Sequence, residues 1–393
     1  MTTQHNQESV EIVDTVIIGG GQAGLAMGSY LARQDRDFVI LDAHARVGDA
    51  WRLRWDSLRL FTPAKFDGLP GMPFPGDRLS FPTKGEMADY LASYATRLGL
   101  SVRTGVRVDR LWREDDRYVV TSGDQRWEAT NVVVATGGHQ LPKRPAFAEQ
   151  LSSSIVQLHS TAYRGPNQLQ PGEVLVVGVG NSGAEIALEL VRTHPTVLSG
   201  QPSAEMPFRH GRAAARFVLP VVRFVGMHVL NLNTPVGRKA APKFVASAAP
   251  LIRTKTKDLA RAGVRSVPRV IGVRNGLPEV NGGEVLEVSN VVWCTGYFED
   301  FSWVDLPVFD DEGRPQHRRG IVESSPGLYF LGLEFQFAAA SATLPGMCRD
   351  AEYLARHLAA TSSQSSDRVP ALPGSGRTPS LDGIAARTTF SAS

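Results

Sequence analysis

Short apolar runs and helix-spaced apolar positions alternate through the first third of the chain. Val13-Asp-Thr-Val16-Ile17-Ile18 and Phe38-Val39-Ile40-Leu41 have the length and composition of buried parallel strands, and between them Leu25, Ala26, Tyr30 and Leu31 recur at helical spacing. This pattern predicts a βαβ unit over about residues 10–60. Pro63, Pro70, Pro73, Pro75 and Pro82 then break the periodicity and predict an extended, ordered loop. Thr83-Lys-Gly-Glu86 has capping-box spacing, and Met87, Tyr90, Leu91, Tyr94 and Leu98 make one apolar face, so a helix follows. Alternating segments at 101–111, 118–122 and 126–135 predict strands. The strand–helix–strand pattern returns at Val174-Leu-Val-Val177, with Ala184, Ile186, Ala187, Leu190 and Val191 as the helix face and Thr196-Val197-Leu198 as the next strand. Finally, Val291-Val-Trp-Cys294-Thr295-Gly296 echoes Val132-Val-Val-Ala135-Thr136-Gly137. Each is a buried strand ending in a small polar turn, as expected where a chain crosses between two nucleotide domains.

Each strand-to-helix junction carries a glycine fingerprint, Gly19-Gly-Gly21-Gln22-Ala23-Gly24 and Gly178-Val-Gly180-Asn181-Ser182-Gly183. A lone G-x-G-x-x-G is weak evidence, but a strand before it and a helix after it supply the context that nucleotide binding needs. The first glycine permits the tight turn, the second lets a pyrophosphate approach the backbone, and the third lets helix pack on strand. The helix N-terminus adds free N–H groups and a positive dipole. The competing reading of either motif is a tight βα turn without a ligand. The first unit ends in Asp42, about 20 residues past the glycines, where an acid bonds a ribose hydroxyl. The second runs into Ser199-Gly200-Gln201 with no carboxylate, and Arg209 and Arg212 lie beyond. That favours a 2′-phosphate, hence NADP over NAD, although the two arginines read equally well as solvated surface charges.

Composition narrows the class. The chain has 393 residues, enough for two domains with their own cores, and a net charge of +3 with no aromatic-interleaved basic stripe, so nucleic acid is not an expected partner. Residues 1–10 are polar and lack an apolar signal region, which makes a cytoplasmic protein the expectation. The longest apolar stretch, Phe217 to Leu232, contains Pro220, Arg223 and His228; it is too short and too charged to span a membrane and reads as a core or lid helix. Cys294 and Cys348 are distant and neither belongs to a C-x-x-C pair, which excludes the relay of flavin disulfide reductases. No His/Cys cluster has metal-ligand spacing, so no metal is expected.

In combination and order, the first fingerprint, Gly48-Asp49-Ala-Trp51, Ala135-Thr136-Gly137, the second fingerprint and Cys294-Thr295-Gly296-Tyr297 resemble the flavin-containing monooxygenases over roughly residues 12–358. Ser57-Leu-Arg-Leu-Phe-Thr-Pro63 and Leu69-Pro-Gly-Met-Pro-Phe-Pro75 resemble the loop of the bacterial branch related to plant YUCCA-type enzymes. Two departures stand out. Of the family's F-x-G-x-x-x-H-x-x-x-[F/Y/W] motif only His159 and Tyr163 are present, with Ser153 and Ile155 in place of Phe and Gly, and the asparagine of animal-type members is missing from Leu60-Phe61-Thr62.

The resemblance implies an α/β fold of two Rossmann-like dinucleotide-binding domains, the NADPH domain inserted into the FAD domain. The expected boundaries are 10–140 and 291–360 for the FAD domain, 141–290 for the NADPH domain with a lid-like insertion at about 203–262, and a disordered tail at 361–393. FAD would lie on the first fingerprint, with Asp42 on its ribose and Gly48 to Trp51 near the ring system; Ala43, Val106 and Gly332 complete the expected contacts. NADPH would lie on the second, with Asn181 and Ser182 at its pyrophosphate or nicotinamide. The activity implied is monooxygenation through a C4a-(hydro)peroxyflavin, with O₂ and a small organic substrate, either a ketone or 2-oxo acid or a soft nitrogen or sulfur nucleophile. Arg209 and Arg212 are candidates to receive a substrate carboxylate. No catalytic side chain is assigned, because the flavin does the difficult chemistry. A non-oxygenating NAD(P)H oxidase or reductase, or a redox sensor without turnover, would share the nucleotide motifs.

Overall fold

Val16, Ile17 and Ile18 are covered on both faces, which places β1 (Val10–Ile18) within the parallel part of a mixed sheet. The computed structural model describes residues 10–366. From β1 the chain passes through α1 (Gln22–Ala32) to β2 (Phe38–Asp42), parallel to β1 with Ile17 opposite Ile40. The four-residue α2 (Asp49–Arg52) and the proline-rich loop follow. α3 (Lys84–Arg97) then starts as expected: Thr83 Oγ1 accepts from Glu86 N at 3.1 Å and Glu86 Oε2 accepts from Thr83 N at 2.7 Å. β3 (Val102–Thr104) extends the sheet beyond β2, while β4 (Arg110–Glu114) and β5 (Arg117–Ser122) meander antiparallel into β6 (Gln125–Val134), which lies parallel to β1 on its other side.

The chain then leaves this sheet. β7 (Leu141–Pro142) and β8 (Val156–His159) precede β9 (Val174–Val177), α4 (Asn181–Leu190) and β10 (Thr196–Ser199). A helical excursion follows: α5 (Leu219–Phe224), continued at both ends by π turns over 214–218 and 225–229, then α6 (Pro235–Ala246) and α7 (Thr256–Ala262). β11 (Arg265–Val267) and β14 (Asn290–Trp293) complete a second sheet in the order β11-β10-β9-β14-β8, parallel throughout, while β12 (Val270–Arg274) and β13 (Leu277–Val280) between them form a separate antiparallel hairpin. β15 (Tyr297–Phe298) pairs antiparallel with β7, so the outgoing and returning crossings run side by side. β16 (Leu328–Phe330) lies against the second half of β6, and α8 (Leu344–Ser366) packs on α1. The second sheet is thus an insertion in the chain path of the first.

Two expectations need correcting. α8 continues through Ser366, so no tail begins at Thr361; the rest of that expected tail, 367–393, lies outside the described residues. Of the two readings of the stretch from Phe217, a core or a lid helix, the core helix is excluded: Phe217 is 67% exposed and Phe224 58%. Among the described residues no helix is long and apolar enough to cross a membrane, and no group of three or more His, Cys, Asp and Glu is placed to hold a metal.

Candidate active site

In each sheet the strand order reverses beside the fingerprint strand: β1 has β2 on one side and β6 on the other, and β9 has β10 and β14. Ligands of open α/β sheets bind at the carboxyl ends of strands at such switch points. The two fingerprints are sterically equivalent there. Gly19 has φ +112° and Gly178 φ +107°, conformations that a side chain would strain. A Cβ on Gly24 would stand 1.9 Å from Gly19 O, and one on Gly183 would stand 1.9 Å from Gly178 O, so only hydrogen lets each helix reach its strand. At Gly21 and Gly180 an added Cβ meets nothing within 4 Å, so open space lies where the motif calls for a phosphate. Gly21 and Gly180 are also the N-caps of α1 and α4, and neither helix start has a side-chain cap. Uncapped N–H groups facing open space at the positive end of a helix dipole form an anion cradle.

Each Thr-Gly crossing closes its own cradle. A Cβ on Gly19 would meet Ala135 O at 2.5 Å, and one on Gly178 would meet Cys294 O at 2.4 Å. The Ala135-Thr136-Gly137 and Cys294-Thr295-Gly296 turns therefore lie against the first glycine of their respective fingerprints. The two cysteines sit on different elements, and burial pushes each thiol up to about 12, so neither is a ready thiolate.

The strand ends distinguish the cradles. Asp42 Oδ2 accepts from Gly20 N at 2.6 Å, inside the fingerprint, and Oδ1 accepts from His44 N at 2.7 Å and contacts His44 Nδ1 at 2.9 Å. Burial works against its charge, but the His44 and Gly20 hydrogen bonds outweigh that and hold the carboxyl below its ordinary value. Ser199 occupies the corresponding last position of β10; its hydroxyl donates to Pro268 O at 2.9 Å and accepts from Val270 N at 3.0 Å. These bonds bring the exposed Arg269 to the end of β10. Sequence reasoning missed it because it arrives from β11, about 70 residues on.

The remaining expected residues divide. Trp51 Nε1 donates to Gln22 Oε1 at 3.3 Å, tying α2 to the start of α1 beside Ala23, and Gly48 packs against Ala88 O of α3. Asp49 is buried among Arg46 and Arg52 and points into that ion-pair group. Ala43 is exposed, Val106 N donates to Asp42 O at 2.9 Å, and Gly332 sits 3.6 Å from Ala23 Cβ, measured from its own ideal Cβ. The side chain of Asn181 is engaged elsewhere: Nδ2 donates to Pro250 O at 3.0 Å and Oδ1 accepts from Ile252 N at 2.9 Å, leaving its backbone N–H for a ligand. Arg212 is paired with Asp77 on the proline-rich loop, and Arg209 is exposed.

Three cationic or titratable residues of the 203–262 segment fasten it to the first sheet's loop. Arg212 takes Asp77; His210 Nε2 donates to Phe61 O at 2.9 Å with its ring 4.1 Å from that of Phe81; Arg253 Nη2 donates to Leu60 O at 2.6 Å. Arg253 also pairs with Glu185 of α4 at 3.0 Å, yet burial raises Glu185 to about 7. Leu60 belongs to the apolar cluster that also contains Ala23, Ala135 and Leu344, so the inserted segment is fastened to the first domain's core. Two residues on, Thr62 bonds Asp67, whose carboxyl is fully buried with Oδ2 unpartnered and is raised to about 7 by desolvation. At the crossings, His159 Nε2 donates to Gly296 O at 3.1 Å and Nδ1 accepts from Thr161 N at 3.2 Å, a neutral ring that buttresses the turn. Burial and the nearby Arg54 push His139, beside Tyr297, down to about 4.

Residues 16–212 match the family model described as pyridine nucleotide-disulphide oxidoreductase. The chain is 40% identical over 346 residues to an uncharacterized CzcO-like oxidoreductase of Geobacillus kaustophilus, covering 87% of this chain and 97% of that one. The chain belongs to the pyridine nucleotide-disulphide oxidoreductase family. This membership makes it an oxidoreductase that works with flavin and nicotinamide cofactors. Within the family it is similar to flavin-containing monooxygenases and to YUCCA-type enzymes. A flavin-containing monooxygenase of Stenotrophomonas maltophilia superposes with a TM-score of 0.71 at 28% identity, over 90% of this chain and 99% of that one. The probable indole-3-pyruvate monooxygenase YUCCA3 of Arabidopsis thaliana is 28% identical over 341 residues, 77% of each chain.

Proposed function

We propose that the protein is an FAD-dependent, NADPH-using monooxygenase that inserts one oxygen atom of O₂ into a small organic substrate. The observation that carries this reading is the pair of matched glycine cradles, one ending in Asp42 and the other in Ser199. In the first, the N–H groups at the start of α1 would hold the FAD pyrophosphate, Asp42 the adenosine ribose, and the α2 segment with Trp51 would border the ring system. In the second, the start of α4 would hold the NADPH pyrophosphate, and the absence of a carboxylate at Ser199, with Arg269 alongside, suits a 2′-phosphate. The expected domain boundaries, with the second nucleotide domain at 141–290, belong to the same proposal.

The chemistry supplied by a bound FAD is hydride acceptance from NADPH and activation of O₂, one atom going to substrate and the other to water. The chain's own part is positioning and exclusion. His210 and Arg253 hold the inserted segment against Leu60 and Phe61 at the first domain's core, which limits water entry there. His159 holds the Gly296 turn, and the β7–β15 pair keeps the two crossings in register, so that the two cradles keep a set separation. Because the plant relative is named a probable indole-3-pyruvate monooxygenase, 2-oxo acids are the first class to assay, with ketones, amines and sulfides beside them. The test is aerobic NADPH oxidation by the purified, FAD-replete protein against that panel, with peroxide measured in parallel. One class is expected to accelerate NADPH use while peroxide falls below the NADPH consumed. Peroxide matching NADPH with every class would move the assignment to a non-oxygenating oxidase.

A further inference from the structure

The helical run from 214 to 229 is built inside out. A surface helix ordinarily turns its large apolar residues to the core. Here the buried positions are Ala214, Ala215 and Met227, and Gly226 packs against Ala340, while Phe217, Val221, Val222, Phe224, Val225 and Val229 are exposed by 36–67%. Positions 217, 221, 224 and 225 follow the i, i+4, i+7, i+8 spacing of one helical stripe. α6 adds Val236 and Val245, 58% and 43% exposed. Six of the fifteen large hydrophobics that are exposed among the described residues fall within this one run of sixteen, so the pattern is a stripe and not scatter.

Charge is segregated in the same place. Between Met206 and Lys257 the chain has ten of its 42 Lys and Arg and none of its 39 Asp and Glu. Arg212 and Arg253 are paired with carboxylates from other elements; Arg216, Arg223, Arg238, Lys239 and Lys243 have no carboxylate partner among the described residues. An apolar stripe flanked by unneutralised cations is the pattern of a helix that lies in the plane of an anionic bilayer. A second copy of this chain fits less well, because a two-fold contact sets the same patch against itself and opposes like charges. Sixteen helical residues span about 24 Å, and none of the described helices is apolar enough to cross, so the contact is with the surface of the bilayer.

We propose that residues 212–245 dock the protein on an anionic phospholipid surface, with Phe217 and Phe224 inserted at the acyl boundary and Arg216, Lys239 and Lys243 at the headgroups. This docking is independent of the reaction that the two cradles serve. The test is flotation of the full-length, FAD-replete protein with vesicles of phosphatidylcholine alone and of phosphatidylcholine mixed with phosphatidylglycerol. Wild type is expected to float with the phosphatidylglycerol vesicles at low salt and to stay behind with phosphatidylcholine. Replacing Arg216, Lys239 and Lys243 together by Gln should weaken that partitioning on the order of a hundredfold, from roughly fivefold per cation. Phe217→Asp with Phe224→Asp should abolish it while flavin content and melting temperature stay unchanged. The proposal is overturned if wild type ignores anionic vesicles, if the double Asp variant floats like wild type, or if light scattering finds a dimer that the double Asp variant dissolves in the absence of vesicle binding.

Discussion

Alanine at the second and at the third glycine of one fingerprint should fail in opposite ways. At Gly24 the new Cβ would lie 1.9 Å from Gly19 O, a backbone atom that moves only if α1 lifts from β1. Overpacking of that kind costs about 1–3 kcal/mol, and a rigid backbone neighbour puts Gly24→Ala at the upper end. At Gly21 the backbone is at φ −74° and ψ −172°, which alanine adopts freely, and its Cβ meets nothing within 4 Å. Gly21→Ala should therefore leave the cofactor-free fold within about 1 kcal/mol of wild type, the cost of exchanging Gly for Ala at an N-cap. The same methyl enters the space reserved for the pyrophosphate. Displacing one charge-assisted hydrogen bond of about 1.5–3 kcal/mol weakens FAD by roughly ten- to two-hundredfold. The assay pairs thermal melting of the apoprotein with FAD titration by flavin fluorescence. Gly180→Ala and Gly183→Ala should repeat the contrast for NADPH without moving the FAD constant. Wild-type FAD affinity in Gly21→Ala, or wild-type melting in Gly24→Ala, would refute the steric argument.

Arg269→Ala should raise the KM for NADPH roughly tenfold or more, the loss of one charged hydrogen bond, and leave NADH unchanged; equal loss with both coenzymes would remove Arg269 from the 2′-phosphate. Asp42→Asn should lower FAD affinity and also change the acid limb of stability. The folded carboxyl lies below its unfolded value near 3.9, so its contribution is present above that pH and is lost as the pH falls through the folded value; the melting difference from wild type should shrink on acidification below about pH 4. Asp67 has the opposite sign. Its folded carboxyl is raised to about 7, so its ionisation destabilises the fold increasingly as pH rises from about 4 and fully above 7. Asp67→Asn should therefore melt like wild type near pH 4, where the native carboxyl is protonated, and above it near pH 8, and a pH-independent difference would count against a protonated Asp67.

What the sequence disclosed was what depends on neighbours in the chain. Both fingerprints were legible because their steric demands fall within six residues, and Thr83 with Glu86 was legible because the capping box closes over one turn. Asp42 was found by its distance from the glycines, and the echo between Val132–Gly137 and Val291–Gly296 foretold two crossings. It did not foretell that β7 and β15 would pair. Long-range choices were hidden. Asn181 has the chemistry of a ligand contact, but its amide is used by the backbone of 250–252, and Arg212 is taken by Asp77, 135 positions away. The apolar stretch Phe217 to Leu232 was legible as a helix without saying which side is wet, since apolar composition suggests burial, whereas the small Ala214, Ala215 and Gly226 with Met227 face inward and turn the large side chains outward. The helix end at Ser366 was missed because Ser and Thr after 360 look like tail composition.

The most direct measurement is the fate of isotopically labelled dioxygen in a single reaction of FAD-replete protein, NADPH and the substrate class that most accelerates NADPH oxidation. Monooxygenation by this protein would leave one labelled oxygen atom in the organic product for each NADPH consumed, with the other in water. Label found only in peroxide and water, with the organic substrate unchanged, would contradict it.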